Sequence, residues 1–563
     1  MKRYWPILPA LLLSLSGCSE NAPLTKTTQG FSLVGQQWYL ENTGQNSGSD
    51  NNATPGEDLN MGTVWETYQG SGLKIAIVDT GIDAIHYDLA NNLSDSLSGY
   101  YDNGSFVRGD PSPGADQRKD YIYGTYYNTG FNAAHGTACA GIAAALDNEI
   151  GITGVAPEAT LIGLNTFADS SAYQSLSFKH ALYHTGSAVD ISSNSWNDRI
   201  INGLDDDSLE IQAIKSGALS GRNGKGIVYC FAAGNERNSS TTYPDGIPET
   251  SDNSNWHREL NNPYVVAVAA LNGTGRYASY SNFGANILIS AYGGEYGIHA
   301  PAIVTTDLIG NYGYDSASPT WFQFHFDVRG NEEGDFTHVM NGTSAATPMT
   351  AGVVALLLQA NPDLTYNDIR YILATTARKN DPTNGDWLQN GAGHWINHNY
   401  GFGAIDVNAS VALAQTFTSL YPDGQKSHSV AKGSLVDSNT LLGVATENNA
   451  SLFLKMASLT VSDAESLIAD HVDLTIDLVQ TYPGDLDIIL ESPAGTNSTL
   501  SHHGIHPIDK DSYFFAPFTF GSVRYLDENS SGTWNIYIRD YYKASSGEDS
   551  GQFDGCKLTV YGR

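Results

Sequence analysis

Four short motifs hold residues whose types could do chemistry. An aspartate follows the run KIAIV at 74–78, in Asp79-Thr80-Gly81, and an asparagine follows GIVYCFA at 226–232, in Ala233-Gly234-Asn235. A histidine opens His135-Gly136-Thr137, and a serine sits in Asn341-Gly342-Thr343-Ser344-Ala345-Ala346-Thr347-Pro348. Each motif alone has an ordinary explanation: Asp-Thr-Gly as a turn, Gly-Thr-Ser as a helix cap, a lone histidine as a satisfied core residue. In the chain order Asp79, His135, Ser344 they combine into one reaction. A serine hydroxyl is unreactive at neutral pH until a base takes its proton, the base must be held in one tautomer, and a carboxylate does that holding. Asn235 adds a donor to the developing oxyanion, a contribution of about 3–4 kcal/mol.

The surrounding elements must bring these four residues together. Between about residues 30 and 417, short apolar runs alternate with helix-like segments, the signature of an α/β doubly wound parallel sheet. Candidate buried strands lie at 74–78, 160–164, 189–192, 226–232 and 265–270, and a buried helix at 345–359 stops near Asn361-Pro362. Open parallel sheets present functional groups at the carboxyl ends of their strands, where Asp79 and Asn235 stand.

After a polar stretch at 421–440 the helical period disappears. Val472, Leu474, Ile476 and Leu478 alternate with Asp473, Thr475 and Asp477, and three later segments (486–490, 534–538 and 556–560) repeat the pattern. An all-β, jelly-roll-like antiparallel sandwich is expected there.

The combination resembles the subtilase superfamily over roughly residues 36–417, and within it the kexin/furin-like proprotein convertases and their bacterial relatives. The finer likeness rests on Gln37-Trp38-Tyr39-Leu40, on Ile303-Val304-Thr305-Thr306-Asp307-Leu308, and on the β region, where DLDIILESPAGT at 485–496 and SGTWNIYIRD at 531–540 look like a convertase P domain. The resemblance implies a serine endopeptidase with Asp79, His135 and Ser344 as its triad and Asn235 at the oxyanion, and a P domain that supports the fold. The divisions expected are an export signal at 1–17, an N-terminal segment at 18–35, a peptidase domain at 36–417, a linker at 418–440 and a P domain at 441–563.

A calcium site follows from chemistry and kinship together. The stretch LDNEIGI at 146–152 can bend into a loop whose alternate carbonyls and Asn148 side chain point at one cation, with Asp88 adding a carboxylate. The resemblance implies the carbonyls of Leu146, Ile150 and Ile152 and the side chains of Asn148 and Asp88 as ligands of Ca²⁺. A further N-terminal acidic ligand is not found, since Phe31 stands about where an Asp is expected.

The substrate strand is expected to add to the edge at 193–198, through Ser195 and Asn197. Asp198, Asp245 and Asp252 are the candidate acids for a basic residue before the cleaved bond. Two departures from the eukaryotic convertases weaken selection for a basic pair: Thr80 replaces a second Asp, and Asn282 replaces a Glu of the specificity region.

Two rival readings are weaker. An aspartic dyad of Asp79 with Asp549 fails because Asp549 lies in a polar loop with no apolar flank, whereas a shared proton needs buried, equivalent carboxyls. A catalytically silent, lipid-anchored binding protein would not need all four catalytic residue types.

The bulk properties agree. At 563 residues the chain is too long for one core. A net charge of −32, from 60 acids against 28 basic residues, excludes the basic footprint that nucleic acid requires and suits cations and basic substrates. Lys2, Arg3 and an apolar stretch at 7–15 read as an export signal too short to span a bilayer, and Leu15-Ser16-Gly17-Cys18 resembles a bacterial lipobox with an acylated Cys18. The only membrane contact expected is through that lipid, at the outer membrane or cell surface, or none if the protein is secreted. Cys139, Cys230 and Cys556 read as buried thiols. The segment between Cys18 and Gln37 is too short for the long folding propeptide that the family usually carries, so a separate folding chaperone is an expected partner beside polypeptide substrates.

Overall fold

The computed structural model describes residues 32–45, 53–117, 120–122, 125–127, 132–170, 172–184, 188–196, 208–237, 253–295, 301–310, 312–315, 334–433, 453–479, 484, 486–503, 517–540 and 552–563. Its first layer is an eight-stranded sheet. In chain order the strands are β1 (Lys74–Asp79), β2 (Gly99–Asp102), β3 (Ser105–Arg108), then, after the small hairpin β4–β5 (Asp120–Ile122 and Thr125–Tyr127), β6 (Thr160–Asn165), β7 (Ile191–Asn194), β8 (Val228–Ala232), β9 (Val265–Leu271) and β10 (Ile289–Tyr292). The spatial order is β10-β9-β8-β7-β1-β6-β2-β3, and every pairing is parallel except β2 with β3. β7, β8, β9 and β10 are buried along their whole length, because helices cover both faces.

Among the described residues the helices are α1 (His135–Ala144), α2 (Gln174–Leu182), α3 (Leu209–Gly224), α4 (Thr343–Ala360), α5 (Tyr366–Thr376) and α6 (Val407–Ala414). α4 is apolar and buried from Thr343 to Leu358, which explains why it lacks an amphipathic period. Its length and composition would also suit a membrane span, but it is the central core helix. Two antiparallel pairs complete this half: β11 (Ile303–Thr306) with β12 (Phe336–Met340), and β13 (Leu388–Gln389) with β14 (Trp395–Ile396).

The second half is a sandwich of two four-stranded antiparallel sheets. One has the order β15 (Lys426–Gly433), β22 (Gln552–Gly562), β17 (Ala469–Val479), β20 (Phe518–Ser522). The other runs β16 (Leu454–Val461), β21 (Gly532–Asp540), β18 (Leu486–Glu491), β19 (Asn497–Ser501). Val472, Leu474, Ile476 and Leu478 point into the core between them, as their alternation requires. The stretch read as a linker, 418–440, contributes β15 to this sandwich. KSHSVAKG is a polar edge strand, so no apolar alternation marks it.

The other face of β17 is not solvated as its polar residues suggest. Asp470, His471 and Asp473 are buried, with Arg370 of α5 acting electrostatically on the two acids. Apolar plugs cross the seam in both directions. The Trp256 ring centroid lies 5.1 Å from that of Phe518, tilted, and 5.2 Å from that of Phe520, edge-on, while Val523 and Leu526 of the sandwich join the core of the parallel-sheet half. The halves are therefore one packed body across this seam.

Candidate active site

Asp79 is the last residue of β1 and is 2 % exposed. His135 is the first residue of α1, and its Nδ1 lies 2.8 Å from Oδ1 and 3.0 Å from Oδ2 of Asp79. A nitrogen facing a carboxylate carries the proton, which leaves Nε2 as the basic nitrogen. Gly136 makes this approach sterically feasible: a Cβ there would stand 2.3 Å from the Gly81 carbonyl and 3.0 Å from Cβ of Asp79. Thr80 ties the same two elements together. Its hydroxyl donates to the Ala133 carbonyl at 3.0 Å and accepts from the Gly136 N–H at 3.0 Å, satisfying an amide at the start of α1. Burial pulls the His135 pKa down, but the charge and hydrogen bond of Asp79 outweigh it and hold it well above 6.5.

Ser344 is the second residue of α4, entered through Gly342 at φ +109°, a backbone conformation that favours glycine. Four residues later comes Pro348, which has no N–H to give the Ser344 carbonyl. That carbonyl is satisfied from outside the helix, by the Ser195 hydroxyl at 2.9 Å and the Cys139 thiol at 3.5 Å. The Ser344 hydroxyl in turn donates to the Ser195 carbonyl at 3.3 Å. In this geometry it does not bond His135; such contacts often tighten only when substrate is bound. Cys139 lies one turn after His135, with Sγ 4.0 Å from His135 Nδ1, and burial pushes its thiol pKa up.

Asn235 sits three residues beyond β8. Its Oδ1 accepts from the Thr343 N–H at 2.9 Å and the Thr343 hydroxyl at 3.0 Å, so the amide Nδ2 is the group turned away from the helix. A donor thus stands beside the N-terminus of α4, where backbone N–H groups also favour negative charge.

The cation loop closes on Asp88. The Asp88 carbonyl accepts from the Leu146 N–H at 2.9 Å, Oδ1 from Asn148 Nδ2 at 2.8 Å, and Oδ2 from the Ile152 N–H at 3.1 Å. Asn148 Oδ1 accepts from the Ile150 N–H at 3.0 Å. Glu149 and Gly151 bend the loop with φ of +63° and +62°. Asp88 is fully buried, and burial pushes its pKa up to about 7 against the N–H bonds from Ile152 and Asn148. A buried carboxylate joined to an amide side chain whose oxygen lies on the same loop is oxygen chemistry that fits a hard cation.

Of the other residues singled out, Ser195 stands at the end of β7, beside Ser344. Cys18, Phe31, Asn197, Asp198, Asp245, Asp252 and Asp549 lie outside the described residues. Cys139, Cys230 and Cys556 are buried, as expected. Asn282 is fully buried, and its side chain engages Glu236 behind Asn235. The clamp by Thr80 and the contact of Cys139 with Ser344 were not foreseen; the spacing of Ser344 and Pro348 carried the signal for an external donor.

A doubly wound sheet with this Asp, His, Ser and Asn gathered at the carboxyl ends of its strands defines the class: a subtilisin-like serine peptidase fold followed by a β-sandwich. Residues 70–403 match the subtilase family, and residues 469–560 match the proprotein convertase P-domain. The chain is 31% identical to the Aeromonas extracellular serine protease of Aeromonas sobria, over 94% of this chain and 89% of that one. It is 31% identical to neuroendocrine convertase 2 of Homo sapiens, over 90% of this chain and 70% of the other. The solved structure of the Aeromonas sobria serine protease in complex with the chaperone ORF2 superposes with a TM-score of 0.79 at 28% identity, covering 94% of this chain and 95% of that one. The chain belongs to the subtilase family and is a serine endopeptidase of the branch that carries a P domain.

Proposed function

We propose that the chain is an exported, calcium-dependent endopeptidase that cuts after basic residues through an acyl-enzyme on Ser344. The observation that carries the mechanism is the pairing of His135 Nδ1 with the buried carboxylate of Asp79 at 2.8 Å. Nε2 accepts the Ser344 proton as Oγ bonds to the scissile carbonyl carbon. The oxyanion is met by Asn235 Nδ2 and the N-terminus of α4. As the peptide C–N bond breaks, His135 returns the proton to the leaving amine. Water then repeats the cycle on the ester and frees Ser344. Ser195 and Asn197 carry the main-chain contacts to substrate.

Asp88, Asn148 and the carbonyls of Leu146, Ile150 and Ile152 would hold Ca²⁺, whose charge would neutralise Asp88 and lock the 146–152 loop. The preference for Arg or Lys rests on kinship with a convertase and on Asp198, Asp245 and Asp252 in the sequence around the cleft. A desolvated carboxylate paired with a substrate cation is worth about 2–5 kcal/mol, enough to dominate selection at one position. Thr80 offers no second charge, so the neighbouring position is loose. Two features of the sequence complete the reading: export with a lipid on Cys18, and folding aided by a separate chaperone, as the complex of the Aeromonas relative suggests. The domain divisions stay as read, with β15 allotted to the sandwich.

Kinetics on matched peptides test the specificity. With Lys-Arg, Ala-Arg and Ala-Leu before the scissile bond, kcat/KM for the first two should be similar and far above the third. Asp198→Asn, Asp245→Asn or Asp252→Asn should reduce that margin. Equal cleavage of Ala-Leu and Ala-Arg would remove the acidic pocket.

A further inference from the structure

Asn282 is fully buried, yet its side-chain bonds all serve the loop that carries Asn235. Its N–H donates to the Gly234 carbonyl at 3.0 Å, and its Oδ1 accepts from the Glu236 N–H at 2.8 Å. Its Nδ2 donates to Glu236 Oε2 at 2.9 Å, the same oxygen that accepts the Asn235 N–H at 2.7 Å. One residue therefore pins positions 234, 235 and 236. The next residue continues the hold, because the Arg237 guanidinium lies 5.1 Å from the Phe283 ring centroid and 4.1 Å from that of Tyr277.

The other end of this short segment is fastened to the sandwich. The Ala285 carbonyl accepts from the Val523 N–H at 3.1 Å. The Gly284 N–H donates to the His398 carbonyl at 2.9 Å, and the His398 ring Nε2 accepts from the Thr499 N–H at 3.2 Å. Asp386, 3.0 Å from Nδ1, sets the tautomer that makes Nε2 an acceptor. Phe283 meets the sandwich directly, edge-on to His502 at 6.4 Å. Four extended residues span at most about 13 Å, so the two attachments leave little slack.

We infer that residues 282–285 are a brace through which the P domain holds the oxyanion donor in place, with Asn282 as the positioning residue. The inference rests on the proposed role of Asn235. Asn282 touches neither substrate nor the reacting atoms; it acts by fixing where the Asn235 amide points. A displacement of about 1 Å in such a group costs on the order of a hundredfold in rate. The P domain thereby contributes to turnover as well as to folding.

The test is a cycle of full-length variants on one peptide substrate, with kcat, KM and thermal stability measured for each. Asn282→Ala should lower kcat by about ten- to a hundredfold and leave KM within about twofold. In an Asn235→Ala background the same change should have no further effect on kcat. His398→Ala, which breaks the link to Thr499 from the far side, should lower kcat severalfold and be silent in that background too. It also serves if Asn282→Ala does not fold. Equal losses of kcat in both backgrounds, or an unchanged kcat for His398→Ala, would overturn the brace while leaving Asn235 in its role. If Asn235→Ala itself costs nothing, the oxyanion reading falls and the brace with it.

Discussion

The Ser195 hydroxyl donates to the carbonyl of Ser344 at 2.9 Å, where Pro348 leaves the helix without a backbone donor. The nucleophile is thus fixed by the residue that follows β7. Ser195→Ala should leave a buried carbonyl with only a weak thiol donor and cost about 1–3 kcal/mol of stability. Chemical denaturation would measure it. Ser195→Thr, which keeps the hydroxyl, should recover most of the loss.

Asp79→Asn should lower kcat by about 10⁴-fold, because the amide can hold the imidazole in the wrong tautomer. Burial lowers the His135 pKa and Asp79 more than offsets it, so removing that charge should move the acid limb of the residual kcat/KM to lower pH. Stability follows the same sign. A histidine whose folded pKa is raised contributes fully below about pH 6.5 and loses that contribution as pH rises through the folded value. The stability gap between wild type and Asp79→Asn should be widest in acid and narrow in alkali. An unmoved acid limb would contradict the pairing.

Much of this arrangement was legible in the sequence, and for a physical reason. Strands buried on both faces read as unbroken apolar runs, and Asp79 and Asn235 stand at the carboxyl ends of two of them, where chemistry is done. The alternation of Val472, Leu474, Ile476 and Leu478 announced the sandwich in the same way. What stayed hidden depends on contacts between distant segments. Nothing near Thr80 in the chain says that its hydroxyl will meet Gly136, and the polar side of β17 gives no sign that Arg563 will pair with Asp470. Asn282 could be singled out only as a departure from the convertase pattern. Its service to Glu236 exists only once the loop after β8 has folded over it.

Calcium held at the proposed site, by Asp88 and the 146–152 loop, would stabilise the native state by mass action, so chelation should lower the melting temperature. Asp88→Asn should abolish the calcium-dependent rise. In calcium-free protein the same variant should be no less stable than wild type, since it removes a fully buried carboxyl whose charged form burial disfavours. Thermal scans of both proteins with calcium and with chelator separate the two effects. A wild-type melting curve indifferent to chelator, in protein shown by metal analysis to be calcium-free, would remove the site.

The central claim is that Ser344 is an activated nucleophile, and a fluorophosphonate tests it directly, because the reagent phosphonylates a serine only when a base and an oxyanion site are assembled around it. The account predicts one covalent adduct per folded chain, located by peptide mass spectrometry on Ser344 and lost in both Ser344→Ala and His135→Ala. A folded protein that takes up no label, or one labelled at another residue with Ser344 unmodified, would contradict it.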